Sequence, residues 1–189
     1  MKRIEELQQE AIALLQKLIS TPSLSGEEDQ TAVHIKAWLE SHGVTCKQEK
    51  NNVYAINKHE DPSKPYLLLN SHHDTVHANS GYTRNPHDAT IEDGKLYGLG
   101  SNDAGGALVC LLATFVYFYE HENMAYNLVV AATAEEETSG PNGLNSLLKT
   151  LPPIDTAIVG EPTQMHLAVA EKGLVVFDAT ISGTASHAA

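Results

Sequence analysis

Three short segments, apolar on both faces, constrain this chain more than any other feature. They are Tyr66-Leu-Leu-Leu, Leu128-Val-Val-Ala-Ala-Thr-Ala and Thr156-Ala-Ile-Val-Gly. A strand without a polar face must be covered on both sides, which is the situation of strands inside a parallel sheet. Helical patterns alternate with these runs. Apolar residues at Ile4, Leu7, Ala11, Leu14, Leu15 and Leu18 predict a helix over Ile4–Ile19. Thr21-Pro-Ser-Leu-Ser-Gly breaks it, and Ser25 stands where it can cap a second helix over about 27–41. Val53-Tyr-Ala-Ile reads as a strand, Asp61-Pro-Ser-Lys-Pro as a turn, and further helices fall at 107–119 and near 143–149. Strands alternating with helices predict an α/β fold, a three-layer α/β/α domain.

Each apolar run is followed by residues that can do chemistry. Ser71-His-His-Asp follows the first, Glu135-Glu-Glu the second and Gly160-Glu-Pro the third. Ligand sites of open α/β sheets lie beyond the carboxyl ends of the strands. The topology therefore brings these groups to one edge. From Lys172 the texture changes to a β-type run over 173–183, and the chain ends soon after at Ser186-His-Ala-Ala. A domain does not ordinarily finish directly behind a fresh strand. The expected organisation is one domain over 1–172 and the first strand of another over 173–189, cut short.

Composition narrows the function classes. A length of 189 residues accommodates one full core, or one domain and the start of a second. With 42% hydrophobic and 19% charged residues, the chain has the make-up of a globular protein and too many apolar groups for disorder. Twenty-four acidic residues against twelve basic ones give a formal charge of −12. Such a surface repels phosphate backbones and anionic headgroups, so neither nucleic acid nor membrane is an expected partner. The amino-terminal Met1-Lys-Arg-Ile-Glu-Glu-Leu lacks the apolar stretch of a signal peptide, and no apolar run approaches membrane-spanning length. Cys46 and Cys110 belong to no CxxC pair and read as reduced structural thiols of a cytoplasmic protein.

The polar clusters each admit two readings. His72-His73-Asp74 places an imidazole two residues from a carboxylate. His72 can ligate a metal while Asp74 orients its ring through the second nitrogen; alternatively, these are loop residues with ordinary hydrogen bonds. Asp103, in Gly98-Leu-Gly-Ser-Asn-Asp-Ala-Gly-Gly, can bridge two cations about 3.5–4 Å apart or simply cap the helix that follows. Glu135-Glu136-Glu137 repel one another unless cations or protons relieve them. One can bind metal while its neighbour takes a proton from the attacking water; a solvated acidic turn is the alternative. Glu161 is a fourth candidate, or merely the exit of its strand into water. One histidine and several carboxylates without a thiolate suit zinc with an open position.

The same residues resemble a known family, the zinc metallopeptidase-like amidohydrolases that include acetylornithine deacetylase, succinyl-diaminopimelate desuccinylase and aminoacylase. Leu67-Leu-Leu-Asn-Ser-His-His-Asp-Thr-Val, Leu99-Gly-Ser-Asn-Asp-Ala-Gly-Gly, Thr133-Ala-Glu-Glu-Glu-Thr-Ser and Gly160-Glu-Pro-Thr look like its four metal motifs, in the same order. The resemblance implies two Zn2+ ions, with Co2+ as a substitute. It implies His72 and Glu161 on one ion, Asp103 bridging, Glu137 on the second, Glu136 as the base and Asp74 supporting His72. His187, in Ala185-Ser-His-Ala-Ala, looks like a histidine of the family's lid and dimerisation domain that helps polarise the substrate carbonyl. Residues 173–189 would then open that domain, and the last metal ligand would lie beyond Ala189.

There are departures. Glu135 stands where the family usually has Asp, which leaves the register of base and ligand open by one, and Ala104-Gly105 replaces a common Met-Lys. The motifs are most similar to those of acetylornithine deacetylase-like members. They imply hydrolysis of a small N-acyl amino acid, N-acetyl- or N-succinyl-L-ornithine in arginine biosynthesis, by a homodimer. A dipeptidase or aminopeptidase of the same family is the first alternative, and a noncatalytic metal-binding fragment the second.

Overall fold

The computed structural model describes residues 4–170, 172, 173, 175, 177 and 179–184. Helix α1 spans Ile4–Ile19 and buries Leu7, Ala11, Leu14, Leu15, Leu18 and Ile19, the stripe its periodicity predicts. Helix α2 spans Asp29–Ser41 and turns Ala32, Ile35 and Leu39 inward. Strands β1 (Lys47–Glu49) and β2 (Asn52–Ile56) form a hairpin, and β3 covers Tyr66–His72. A small separate hairpin pairs β4 (Ile91–Glu92) with β5 (Lys95–Leu96). Helix α3 (Gly106–Phe118), strand β6 (Asn127–Thr133), the short helix α4 (Leu144–Leu147) and strand β7 (Thr156–Val159) follow.

The five-stranded sheet has the order β1-β2-β6-β3-β7. Strand β3 runs parallel to both β6 and β7, whereas β2 pairs antiparallel with β1 and β6, so the sheet is mixed. Alternation along the inner strands sends Leu69, Val130 and Ala132 to one face, against Leu15, Ile35, Leu112 and Phe115 of the three long helices. Leu68, Val129 and Ala131 go to the other, against Leu147 and Leu151 at α4. Both faces of β3 are covered, as its apolar run requires. The architecture is thus α/β in three layers; among the described residues one outer layer has three helices and the other a single short one.

Three expectations need correction. Ser25 does not cap α2; Glu28 holds the capping position and makes no side-chain cap bond. Ser25 Oγ donates instead to Asp74 Oδ2 at 2.7 Å, because a buried carboxylate is a stronger acceptor than a helix end that water can reach. Strand β7 is not covered on both sides as its apolar run suggests: among the described residues it is an edge strand of the sheet, and Ile158 and Val159 stay about half exposed. Finally, Ser101–Phe118 is long and apolar enough, by length and composition alone, to cross a membrane. Helical geometry breaks at Asp103 and Ala104, however, leaving 13 regular residues whose inner face joins the core.

Candidate metal centre

The parallel strands deliver their following residues to one edge of the sheet. In register, His72 of β3 lies opposite Thr133 of β6, two residues before the Glu135–Glu137 run. On the other side Asn70 pairs with Val159. There the Gly160 N–H donates to Asn70 O and Ser71 Oγ donates to Gly160 O, both at 2.8 Å, which fixes the peptide before Glu161. Asp103 arrives from the turn that leads into α3. This turn depends on Gly100, whose φ of 74° favours glycine and where a Cβ would come within 2.7 Å of the Thr75 methyl. Asp103 itself has φ −112° and ψ 100°, and α3 has Gly105 at its capping position. Asp103 is therefore not the cap, and its side chain meets His72 instead.

His72 is 1% exposed and presents Nε2 to the cluster. That nitrogen lies 3.1 Å from Asp103 Oδ1, 3.8 Å from Glu136 Oε2 and 3.9 Å from Glu161 Oε2. Ligand atoms of His72, Asp103 and Glu137 all fall within 4.8 Å of one another. The other ring nitrogen, Nδ1, faces Asp74, at 3.1 Å from its carbonyl oxygen and 3.2 Å from Oδ1. Asp74 also accepts the Glu136 N–H on Oδ1 and the Glu137 N–H on Oδ2, each at 3.1 Å. One buried carboxylate thus orients the imidazole and holds the backbone of the acidic loop.

The electrostatics follow from this crowding. Burial alone would lower the pKa of His72, but the hydrogen bond it donates to Asp74 and the charges of Asp74, Glu161 and Glu136 outweigh it and push it up to about 9. Burial would raise Asp74, yet His72, Ser25 and the two backbone N–H groups bring it down to about 2. Burial and the neighbouring Asp103 raise Glu137. Burial raises Glu161 too, against the pull of His72 and with the help of Glu136, Asp103 and Glu137. Carboxylates gathered this closely call for a cation, and one imidazole nitrogen with several carboxylate oxygens is a donor set that fits zinc. His72, Asp103, Glu137 and Glu161 are the residues that could hold metal, and Glu136 stands beside them. A cleft of about 270 Å³, lined by Asn70, Thr133, Gly143 and Val159 among others, opens next to His72, Glu136 and Glu161.

Two neighbours in sequence do not join the cluster. His73 is buried, its Nε2 2.9 Å from Asn51 O and its Nδ1 2.8 Å from Thr31 Oγ1, and burial pushes its pKa down. It is the ordinary hydrogen-bonded histidine of the pair. Glu135 turns away to Asn142, whose N–H and Nδ2 donate to its carboxylate at 3.0 and 2.7 Å. Of the three glutamates, Glu136 and Glu137 face His72. His187 lies outside the described residues. Sequence reasoning missed the partnership of Ser25 with Asp74; the only signal was a run of small polar residues between two helices.

The description "Peptidase family M20/M25/M40" matches residues 68–183. The chain belongs to that family. Among its relatives, acetylornithine deacetylase of Proteus mirabilis is 30% identical over 188 residues, 93% of this chain and 48% of that enzyme. Succinyl-diaminopimelate desuccinylase 2 of a Ruegeria species is 27% identical over 191 residues, again 93% of this chain and 48% of the relative. The chain spans about half the length of the curated relatives it matches. Among solved structures, a metallo-carboxypeptidase of the family from Sulfolobus solfataricus superposes with a TM-score of 0.68 at 26% identity, covering 79% of this chain and 37% of that one. Human carnosine dipeptidase 1 shares the fold, with a TM-score of 0.64 at 20% identity over 82% of this chain and 39% of its own.

Proposed function

We propose that this chain carries the catalytic residues of a two-metal amidohydrolase that removes the acyl group from an N-acyl amino acid, with N-acetyl- or N-succinyl-L-ornithine as the substrate. One placement supports the reading above all: His72 Nε2 sits 3.1–3.9 Å from Asp103, Glu136 and Glu161, at the carboxyl end of parallel strands. His72 and Glu161 would hold one ion, Glu137 the second, and Asp103 both. Zn2+ is the proposed metal, with Co2+ as a substitute; such ions supply Lewis acidity and make water acidic enough to yield a nucleophile near neutral pH.

The protein's own groups then have distinct tasks. Asp74 keeps His72 Nδ1 occupied, so that only Nε2 is offered to metal. Glu136 takes the proton of the attacking water and delivers it to the amine that leaves. His187 would contribute a donor to the carbonyl oxygen as negative charge develops there. Residues 1–172 would belong to the catalytic domain and 173–189 to a lid and dimerisation domain; homodimerisation, a cytoplasmic location and a part in arginine biosynthesis belong to the same proposal.

The names of the relatives favour acyl amides. The superposition on a carboxypeptidase at 26% identity keeps a peptide-bond substrate as the second reading. The test uses the whole protein that carries this chain, supplied with zinc and assayed on N-acetylornithine, N-succinylornithine and a dipeptide panel. Turnover of an acyl-ornithine above all dipeptides is expected. Preference for dipeptides would replace the substrate class, and metal binding without any turnover would identify a noncatalytic metal protein.

A further inference from the structure

Three glutamates stand in a row after β6, and two of them face His72. Two further carboxylates, those of Glu28 and Glu135, lie beside the His72 cluster without joining it. Glu28, at the start of α2, is fully buried. Its Oε1 accepts the N–H of Gly26 at 2.7 Å and the N–H of Glu135 at 3.1 Å, and its Oε2 accepts Asn51 Nδ2 at 2.8 Å. Glu135 has a φ of 56°, the left-handed region that a residue with a long side chain seldom adopts. Its own carboxylate is closed on Asn142 by two hydrogen bonds, and its carbonyl oxygen accepts the N–H of Gly140 at 2.8 Å. Gly140 packs flat on this turn; a Cβ there would collide with the Glu135 side chain. Asn52 braces the arrangement from below, accepting the Ala134 N–H at 3.0 Å and donating to Asn142 O at 2.6 Å.

We infer that Glu28 and Glu135 are positioning residues: two buried carboxylates, neither a ligand nor a base, that clamp the backbone at 134–136 in a left-handed turn and so aim Glu136 and Glu137 at the metal positions. The chemistry explains why acids serve here. A carboxylate accepts several N–H donors at once, and charge-assisted bonds are the stronger kind. A neutral amide at position 28 would set its own N–H against one of those donors. Without the clamp, Glu135 relaxes from its left-handed conformation, and the peptides carrying Glu136 and Glu137 rotate away from Asp74 and His72. The inference rests on the two-metal reading of the site but not on the identity of the substrate.

The test takes the whole protein that carries this chain, with variants Glu28→Gln and Asn142→Ala. Asn142 is half-buried on a loop, so its replacement keeps the fold if Glu28→Gln does not. Readouts are calorimetric Co2+ stoichiometry and affinity, the visible spectrum of the Co2+-loaded protein, and kcat against KM per folded, metal-loaded molecule. Loss of an outer partner of a metal site weakens metal binding about 10- to 100-fold, and that loss is expected for the ion held by Glu137 in both variants. The Co2+ spectrum should change and kcat should fall with KM little altered. A residue that merely stabilises the fold would lower the melting temperature and leave the spectrum, the affinity and kcat per loaded molecule as in the parent. That outcome in Asn142→Ala, whether or not Glu28→Gln folds, overturns the inference. So would a Glu135→Gln variant that binds metal normally but loses all turnover, since it would make Glu135 the base. If the parent protein binds two ions yet hydrolyses no acyl amide, the proposed substrate fails while the metal readouts still decide the clamp.

Discussion

His72 shows how a side chain becomes a directed ligand. Asp74 takes one ring nitrogen, burial takes the ring out of water, and the remaining nitrogen is left to meet Asp103. Asp103 carries the largest share of the proposed binding because it alone would touch both ions. Asp103→Ala is therefore expected to lower affinity for both by more than about tenfold, the loss that even an outer partner brings. Glu161→Ala should weaken one site and spare the other. Calorimetric titration with Zn2+ separates the two cases, and equal losses would count against the bridge. Glu136→Gln keeps shape and hydrogen-bonding size but cannot accept a proton. It should bind metal as the parent does and lose about 10²- to 10⁴-fold in kcat, the usual worth of a general base. Steady-state kinetics on metal-saturated protein measures this, and turnover near that of the parent would remove Glu136 from the mechanism.

At the scale of elements, helix α3 joins the core to the site. Its amino end follows the turn that presents Asp103, while Leu108, Val109, Leu112 and Phe115 lock its inner face beneath β3 and β6. Phe115 and Leu112 are completely buried. Truncating Phe115 to Ala should cost about 3–5 kcal/mol of stability, because a cavity adds to the lost transfer energy. Denaturant unfolding followed by circular dichroism should show a lower midpoint with the same slope. A loss below about 0.5 kcal/mol, the range of ordinary surface substitutions, would mean that the helix is not fixed by this contact. The long helices were legible through their period, and β2, β3, β6 and β7 through their apolar runs, whereas β1 and the β4–β5 hairpin carry no such signal. The irregular pieces were not legible either. Nothing local to Ser25 distinguishes a helix cap from a donor to Asp74, 49 positions away.

For the whole molecule, part of the formal charge of −12 converges on His72, where Asp103, Glu136 and Glu161 meet. A cation that binds the folded chain and not the unfolded one stabilises it by mass action, about 2.7 kcal/mol per site at a hundredfold excess over Kd. Stripping metal with a chelator should consequently lower the melting temperature, at about 2–4 °C per kcal/mol for a domain of this size. Restoring Zn2+ should bring it back, and Asp103→Ala should respond weakly to either treatment. Scanning calorimetry of the apo and reconstituted protein tests this. A melting temperature indifferent to metal would argue that the acidic cluster is only a solvated edge.

The sequence by itself determined the order of the long helices and of β2, β3, β6 and β7, the interior place of Tyr66–His72, and the arrival of His72, the Glu135–Glu137 run and Glu161 at one edge. Those are consequences of hydrophobic pattern, a helical period or an unbroken apolar run, which a short window of residues contains. Only the tertiary structure decided which two of three adjacent glutamates face the histidine. That choice depends on a backbone turn at Glu135 held by Glu28, 107 positions earlier in the chain, and on the N–H groups of Glu136 and Glu137 bound to Asp74, more than sixty positions away. A side chain's direction in a strand is set by its neighbours in sequence. In a loop it is set by whichever partners the fold brings to its backbone, and those partners are known only once the sheet has closed.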